Sequence, residues 1–168
     1  MSIRMAGLTS DQSDVRALPY DHPDALALVH ALYDDQMERY GYADPAEAPP
    51  ALFVPPQGLF LVSYVDDVPA ACGGFRTYAP RAATVEIKKM YTAPPHRGRG
   101  LGQRLLETLE RAAVEHGAQW AILETGVRNT AALALYDRLG YQPTDRYIPG
   151  RDPAINRAFI KDLTHASG

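Results

Sequence analysis

The chain is predicted to fold as a mixed α/β domain, and three observations carry that expectation. Apolar residues recur at helical spacing in three segments, and short alternating runs separate those segments. A glycine-rich stretch, Arg97-Gly98-Arg99-Gly100-Leu101-Gly102, joins one alternating run to one helical run. The 168 residues fit one domain over 1–168, with residues 1–10 read as a loose N-terminal tail. At 46% apolar residues, the chain is expected to be globular and able to bury a core.

Taken in order, Asp14 to Leu18 reads as a short strand. Asp21-His22-Pro23-Asp24 then starts a helix, with proline at the first helical position and acids around it. Leu26, Val29, Tyr33, Met37 and Tyr40 follow at helical spacing, and Gly41 ends the run. Tyr42 to Gln57 holds five prolines and reads as a loop or short irregular helix. Loops of that length in compact domains are often functional.

Gly58 to Tyr64 and Ala70 to Tyr78 read as strands joined by a turn at Asp66-Asp67. Ala82 to Thr92 is a third strand, in which Val85 and Ile87 alternate with Glu86 and Lys88. The alternation fails at Lys89. A β-bulge does this, and so does a strand reaching its solvated end; both readings stay open. After the loop Ala93 to Arg99, Leu101, Leu105, Leu109 and Ala113 share one helix face, closed by Gly117. Trp120 to Glu124 is a strand, and Asn129 to Leu139 a helix with Asn129 as N-cap and Gly140 as stop. Tyr141 to Tyr147 and Asn156 to Leu163 close the order as strands around a Pro/Gly/Asp turn.

A net charge of −3 argues against general nucleic-acid binding, which calls for a basic surface. The single cysteine, Cys72, allows no internal disulfide and reads as a small buried strand residue. The first 13 residues lack the apolar core of a secretory signal, and no window nears the roughly eighteen apolar residues of a membrane helix. The expected setting is the cytoplasm. The five histidines show no metal-ligand spacing, so no metal is expected.

The glycine segment is the most informative stretch. Glycines at alternate positions let the backbone approach a ligand closely, and the first amides of the following helix lack internal partners. That combination binds phosphate or pyrophosphate, and Arg97, Arg99 and Arg104 add positive charge. A nucleotide P-loop is excluded because no Gly-Lys-Ser/Thr ending is present. A dinucleotide fingerprint is a weak rival: the third glycine comes one residue early, although Glu124 ends the next strand about where a ribose-binding acid belongs. A mere tight turn would need only one glycine.

The remaining reading is a coenzyme A pyrophosphate site, and here a family resemblance enters. Arg97-x-x-Gly100-x-Gly102 resembles the Arg/Gln-x-x-Gly-x-Gly/Ala signature of the GCN5-related N-acetyltransferases, the GNAT family. Glu86-Ile-Lys-Lys-Met-Tyr-Thr92 and Asn129-Thr-Ala-Ala-Leu-Ala-Leu-Tyr136-Asp-Arg-Leu-Gly140-Tyr141 are similar to its flanking segments. The likeness covers nearly the whole chain in layout and is most specific from Glu86 to Tyr141. It implies a mixed, mostly antiparallel sheet flanked by helices, with acetyl-CoA in a V-shaped gap beside a bulged strand.

The resemblance also implies roles. Main-chain groups of Met90, Tyr91 and Thr92 pair with the pantetheine arm, and an amide near Met90 or Tyr91 faces the thioester carbonyl, where negative charge develops. Amides from Arg97 through Gly98, Arg99, Gly100 and Leu101 to Gly102 hold the pyrophosphate. Asn129 contacts the coenzyme arm besides capping its helix. Tyr136 protonates the departing thiolate, and without the resemblance it reads as one more apolar-face aromatic. Glu86 is the matching base for the incoming amine; its alternative is a strand carboxylate paired with Lys88 or Arg76.

Lys88 and Lys89 could attract an acidic substrate group or simply be solvated. Asp34, Asp35 and Glu38 could steer a cationic amine or form a wet helix face. The expected activity is acetyl transfer to a primary amine, with a small molecule as acceptor. A protein or peptide acetyltransferase, and a non-catalytic acyl-CoA sensor, are the rivals. No membrane or nucleic-acid partner is expected, and a homodimer is left open.

Overall fold

The computed structural model describes residues 3–4 and 13–165. Eight strands form one sheet: β1 (Ile3–Arg4), β2 (Ser13–Ala17), β3 (Gly58–Val65), β4 (Val68–Thr77), β5 (Thr84–Thr92), β6 (Trp120–Gly126), β7 (Gln142–Thr144) and β8 (Asn156–Asp162). Their spatial order is β1-β2-β3-β4-β5-β6-β8-β7. Every adjacent pair is antiparallel except β5 and β6, which are parallel because α2 (Leu101–Glu115) crosses over between them.

All eight residues of β3, the polar Ser63 among them, are buried, so both faces of that strand are covered. Leu59 and Leu61 face one cluster with Phe75, Ile87, Leu105 and Leu109; the helices on that side are α2 and α3 (Thr130–Arg138). Phe60 and Val62 face the other, under Leu28 and Val29 of α1 (Pro23–Tyr40). The result is a sheet between two helical layers.

The broken alternation at Lys89 is a β-bulge. Cys72 pairs with Tyr91 and Gly74 with Lys88, so Lys89 and Met90 together oppose Gly73. Lys89 takes φ +62°, the left-handed conformation that absorbs the extra residue. Gly73 leaves the space opposite the bulge to the Met90 side chain, whose Sδ would have to shift for a Cβ there.

The closing strands differ from expectation. The strand beginning near Tyr141 spans only Gln142–Thr144, not residues 141–147, since Tyr147 leaves the sheet to donate a hydrogen bond to Glu86. The last strand, β8, inserts between β6 and β7. β6 runs to Gly126, two residues past Glu124. Within the expected N-terminal tail, Ile3 and Arg4 pair with Ala17 and Arg16; the rest of that tail lies outside the described residues. Among the described residues no helix is long and apolar enough to cross a membrane.

Candidate active site

The parallel pairing of β5 with β6 covers only Thr84–Glu86 against Trp120–Ile122. Beyond it β5 continues to Thr92 and β6 to Gly126 without pairing to each other, so the two strands part. The bulge increases the local twist of β5 and helps drive the separation. The edge of β5 that faces the gap carries the main chain of Met90, Tyr91 and Thr92.

The glycine segment stands at one end of this gap. Gly98 and Gly100 have φ +80° and +78°, a conformation that penalises any side chain. The ladder of α2 begins with Arg104 N–H donating to Gly100 C=O at 3.1 Å, so the amides of Leu101, Gly102 and Gln103 precede it. No acid lies in that first turn. Arg97 Nε donates to Thr92 O at 2.9 Å and its guanidinium stands 5.7 Å from the Tyr91 ring centroid. Arg104 donates to Arg99 O at 2.9 Å. A Cβ at Gly102 would lie 3.6 Å from Leu135 Cδ2 and 3.7 Å from Thr92 Oγ1, so α2, β5 and α3 meet at this glycine.

At the other end lies a polar cavity lined by Met90, Asn129 and Tyr136 together with Glu86, Lys88, Lys89 and Glu124. Tyr136 is 5% exposed and its ring packs edge-on to Tyr141, with centroids 5.6 Å apart. Burial pushes the Tyr136 phenol well up, so it stays protonated throughout the physiological range. Tyr141 is fixed in turn by donating to Glu110 Oε2 at 2.8 Å, while Lys161 donates to Oε1 at 2.9 Å. Asn129 caps α3 by accepting from Ala132 N–H at 3.2 Å.

Glu86 is 1% exposed, and both carboxylate oxygens are engaged. Oε1 accepts from Arg76 Nε at 3.0 Å; Oε2 accepts from Tyr147 OH at 2.7 Å and lies 3.9 Å from Lys88 Nζ. The pairing with Arg76 and Lys88 weighed from the sequence is therefore present, with Tyr147 added.

The proline-rich segment covers the cavity. Asp44 is bonded to Arg151 and stands 3.4 Å from Lys88 Nζ, while Lys89 Nζ donates to Pro45 O at 2.9 Å. Part of the segment, Pro50–Phe53, is a 3-10 helix. Burial, reinforced by the neighbouring Lys88, holds the Lys89 ammonium below its ordinary pKa. Of the acidic trio on α1, Asp34 and Glu38 are exposed, whereas Asp35 turns to the cavity and pairs with Arg39 at 3.4 Å. Cys72 is a fully buried free thiol whose Sγ lies 3.3 Å from Lys89 O; burial pushes that thiol up.

Two cavity residues, Asp44 and Arg151, have no signal in the sequence and sit in loops; Tyr147, expected to end a strand, instead meets Glu86. Glu124 was weighed only as a ribose ligand. It lies on β6 inside the cavity, 6% exposed, with Oε1 at 3.5 Å from Arg151 Nε. Among the described residues no cluster of side chains has metal-binding geometry.

The Acetyltransferase (GNAT) family model matches residues 29–141. Over 125 residues the chain is 32% identical to the IAA acetyltransferase of Azospirillum brasilense, a match spanning 71% of this chain and 81% of that protein. A solved candidate acyl-CoA N-acyltransferase from Klebsiella pneumoniae superposes with TM-score 0.74 at 28% identity, covering 90% of this chain and 97% of that one. The PaiA N-acetyltransferase of Thermoplasma acidophilum, solved with coenzyme A, superposes with TM-score 0.69 at 16% identity over 90% of this chain and 99% of its own. At that identity it shares the fold.

Proposed function

The chain belongs to the GNAT acetyltransferase family, and from that premise we propose that the gap between β5 and β6 receives acetyl-CoA and presents its thioester to the primary amine of a small molecule. The protein is an acetyl-CoA-dependent N-acetyltransferase; the residue roles and the acceptor class are our reading. One observation carries it: the strands part beside a bulge, with the glycine-led, acid-free start of α2 at one end of the gap and a protonated, buried phenol at the other.

In this reading the amides of residues 97–102 hold the pyrophosphate, supported by the left-handed glycines and by the absence of an acid in the first turn of α2. Main-chain groups of Met90, Tyr91 and Thr92 hold the pantetheine arm, and an amide at the bulge faces the carbonyl oxygen as it gains charge. Asn129 steadies the arm with the amide end that its capping bond leaves over. When bound, acetyl-CoA supplies an acyl group on a thiol leaving group. Tyr136 gives that sulfur a proton as the C–S bond breaks. It recovers one, through solvent, from the nitrogen that has become an amide.

Glu86 anchors Arg76 and Tyr147 and so shapes the acceptor end of the cavity. A small acceptor is supported by the cover that Asp44 and Pro45 lay over β5 through Lys88 and Lys89. The test has two parts. Calorimetry should show acetyl-CoA binding, and thiol release should be screened across polyamines, amino acids, aminosugars, aminoglycosides and peptides. Release with a small amine is expected. Binding without release from any amine would instead leave an acyl-CoA sensor, and release from peptides alone a protein acetyltransferase.

A further inference from the structure

Four carboxylates line the cavity, and three are committed to cations or donors. Asp35 pairs with Arg39, Asp44 with Arg151 and Lys88, and Glu86 with Arg76 and Tyr147. Glu124 differs. Its side chain is 6% exposed, yet Oε2 is buried without a hydrogen-bond partner, and the cation paired with it, Arg151, stands at 3.5 Å from the other oxygen. Leaving an acceptor atom buried and unused is destabilising, and more so for a charged group, so the chain maintains this arrangement at a cost. Glu124 lies only two residues past Ile122, the last residue of β6 to pair with β5. It therefore sits where the strands part, in the same cavity as Met90 and Tyr136.

We propose that Glu124, and not Glu86, is the proton acceptor for the incoming amine. The assignment rests on the reading of this cavity as the acyl-transfer site. A primary ammonium donates a hydrogen bond to the orphan Oε2; its N–H bond breaks, an O–H bond forms, and the electron pair stays on nitrogen, free to attack. The carboxyl then returns the proton to solvent, so no further reactant is consumed.

The surroundings favour proton uptake by this carboxylate. Burial raises the proton affinity of Glu124 above the ordinary carboxylate value; Arg151 and Lys88 oppose this, and the charges of Asp44 and Glu86 reinforce it. Asp35, Arg39 and Tyr40 of α1, Tyr42 beyond it, Lys89 of β5 and Tyr136 of α3 line the same cavity, and Tyr147 of the β7–β8 turn lies close enough to feel the Glu124 charge. With both oxygens of Glu86 already accepting from fixed donors, that residue has less to offer an arriving ammonium.

The experiment compares wild type, Glu124→Gln and Glu86→Gln, using whichever amine of the panel above gives wild type its fastest thiol release. Glu124→Gln keeps the side-chain volume, and acetyl-CoA affinity by calorimetry checks that the fold is intact. In wild type, kcat/KM should rise with pH through a carboxyl pKa above the usual range. Glu124→Gln should lose about 100-fold or more near pH 7. Its rate should then climb with the free-amine fraction towards pH 10, closing the deficit. Glu86→Gln should keep the wild-type ascending limb. Independently of activity, 13C-glutamate labelling should show one carboxyl titrating above the ordinary range that disappears in Glu124→Gln. Turnover within about threefold of wild type, an unchanged limb in Glu124→Gln, or no such carboxyl signal would overturn the assignment. A wild type that releases no thiol with any amine would sink the acyl-transfer reading itself, and the assignment with it.

Discussion

Asp44 in the proline-rich loop and Arg151 in the β7–β8 turn, 107 residues apart in sequence, are bonded to each other over the cavity. The pair ties the two least regular segments of the chain together at the acceptor end. Burial raises the Asp44 pKa, but Lys88, Arg151 and Lys89 outweigh it, and the carboxyl titrates below its ordinary value. A depressed carboxyl stabilises the fold above its unfolded pKa of about 3.9, and that contribution disappears as pH falls through the folded value.

Asp44→Asn should therefore lower stability at pH 7 and matter little below about pH 3. The Asp44 side chain is 36% exposed, so solvent screening keeps the loss to about 1 kcal/mol, or roughly 3 °C in Tm. Calorimetric melts at the two pH values check this; equal Tm at pH 7 would mean that the pair contributes nothing. The KM for the amine should rise while acetyl-CoA affinity stays put, because the glycine segment lies at the other end of the gap.

Two glycines of the same segment should answer the same substitution in opposite ways. At Gly100 the φ of +78° strains any L-residue, so Gly100→Ala should cost about 1–2 kcal/mol and weaken acetyl-CoA binding. At Gly102 the backbone is helical and an added Cβ meets its neighbours at ordinary contact distance, 3.6 and 3.7 Å. Gly102→Ala should stabilise by about 0.5–1 kcal/mol and retain binding. Denaturant titration and calorimetry of both variants decide the matter, and similar behaviour would undo the conformational argument.

Tyr136→Phe removes only a hydroxyl and leaves the ring contact with Tyr141 in place. Turnover should fall by about 100-fold or more, with Tm and acetyl-CoA affinity unchanged. Turnover matching wild type between pH 6 and 9 would take Tyr136 out of the chemistry.

Glu110 is 6% exposed and accepts from both Tyr141 and Lys161. Glu110→Ala strands a buried phenol and an ammonium, and should cost about 3 kcal/mol. Glu110→Gln keeps an acceptor and should cost less. Urea unfolding of the two variants gives the comparison, and the reverse ranking would show that the pairing is not what the site needs.

The features legible in the sequence are those that leave a local mark. Positive-φ glycines can hardly be replaced, so Gly98 and Gly100 announce the loop; the bulge at Lys89 breaks a period of two, and Asn129 stands where an N-cap must. The cavity is different. Asp44 and Arg151 occupy loops and carry no local mark until the fold brings their segments together, and nothing in the run to Tyr147 declares that its last residue leaves for Glu86. Glu124 was recognisable as the end of a strand, but its burial depends on β6 diverging from β5, which no residue of β6 declares. Likewise, the position of β8 between β6 and β7 is a choice of partner, and partner choice is not encoded in the period of either strand.

That placement bears on how the chain is made. Synthesis delivers β6 and β7 before β8, yet β7 pairs with β8 alone, and the outer edge of β6 is covered by β8. Until residues 156–162 emerge from the ribosome, one strand has no ladder to join, and another offers a bare row of amides and carbonyls to any passing chain. Late-arriving residues thus close the sheet, and a nascent polypeptide halted before them is exposed to aggregation.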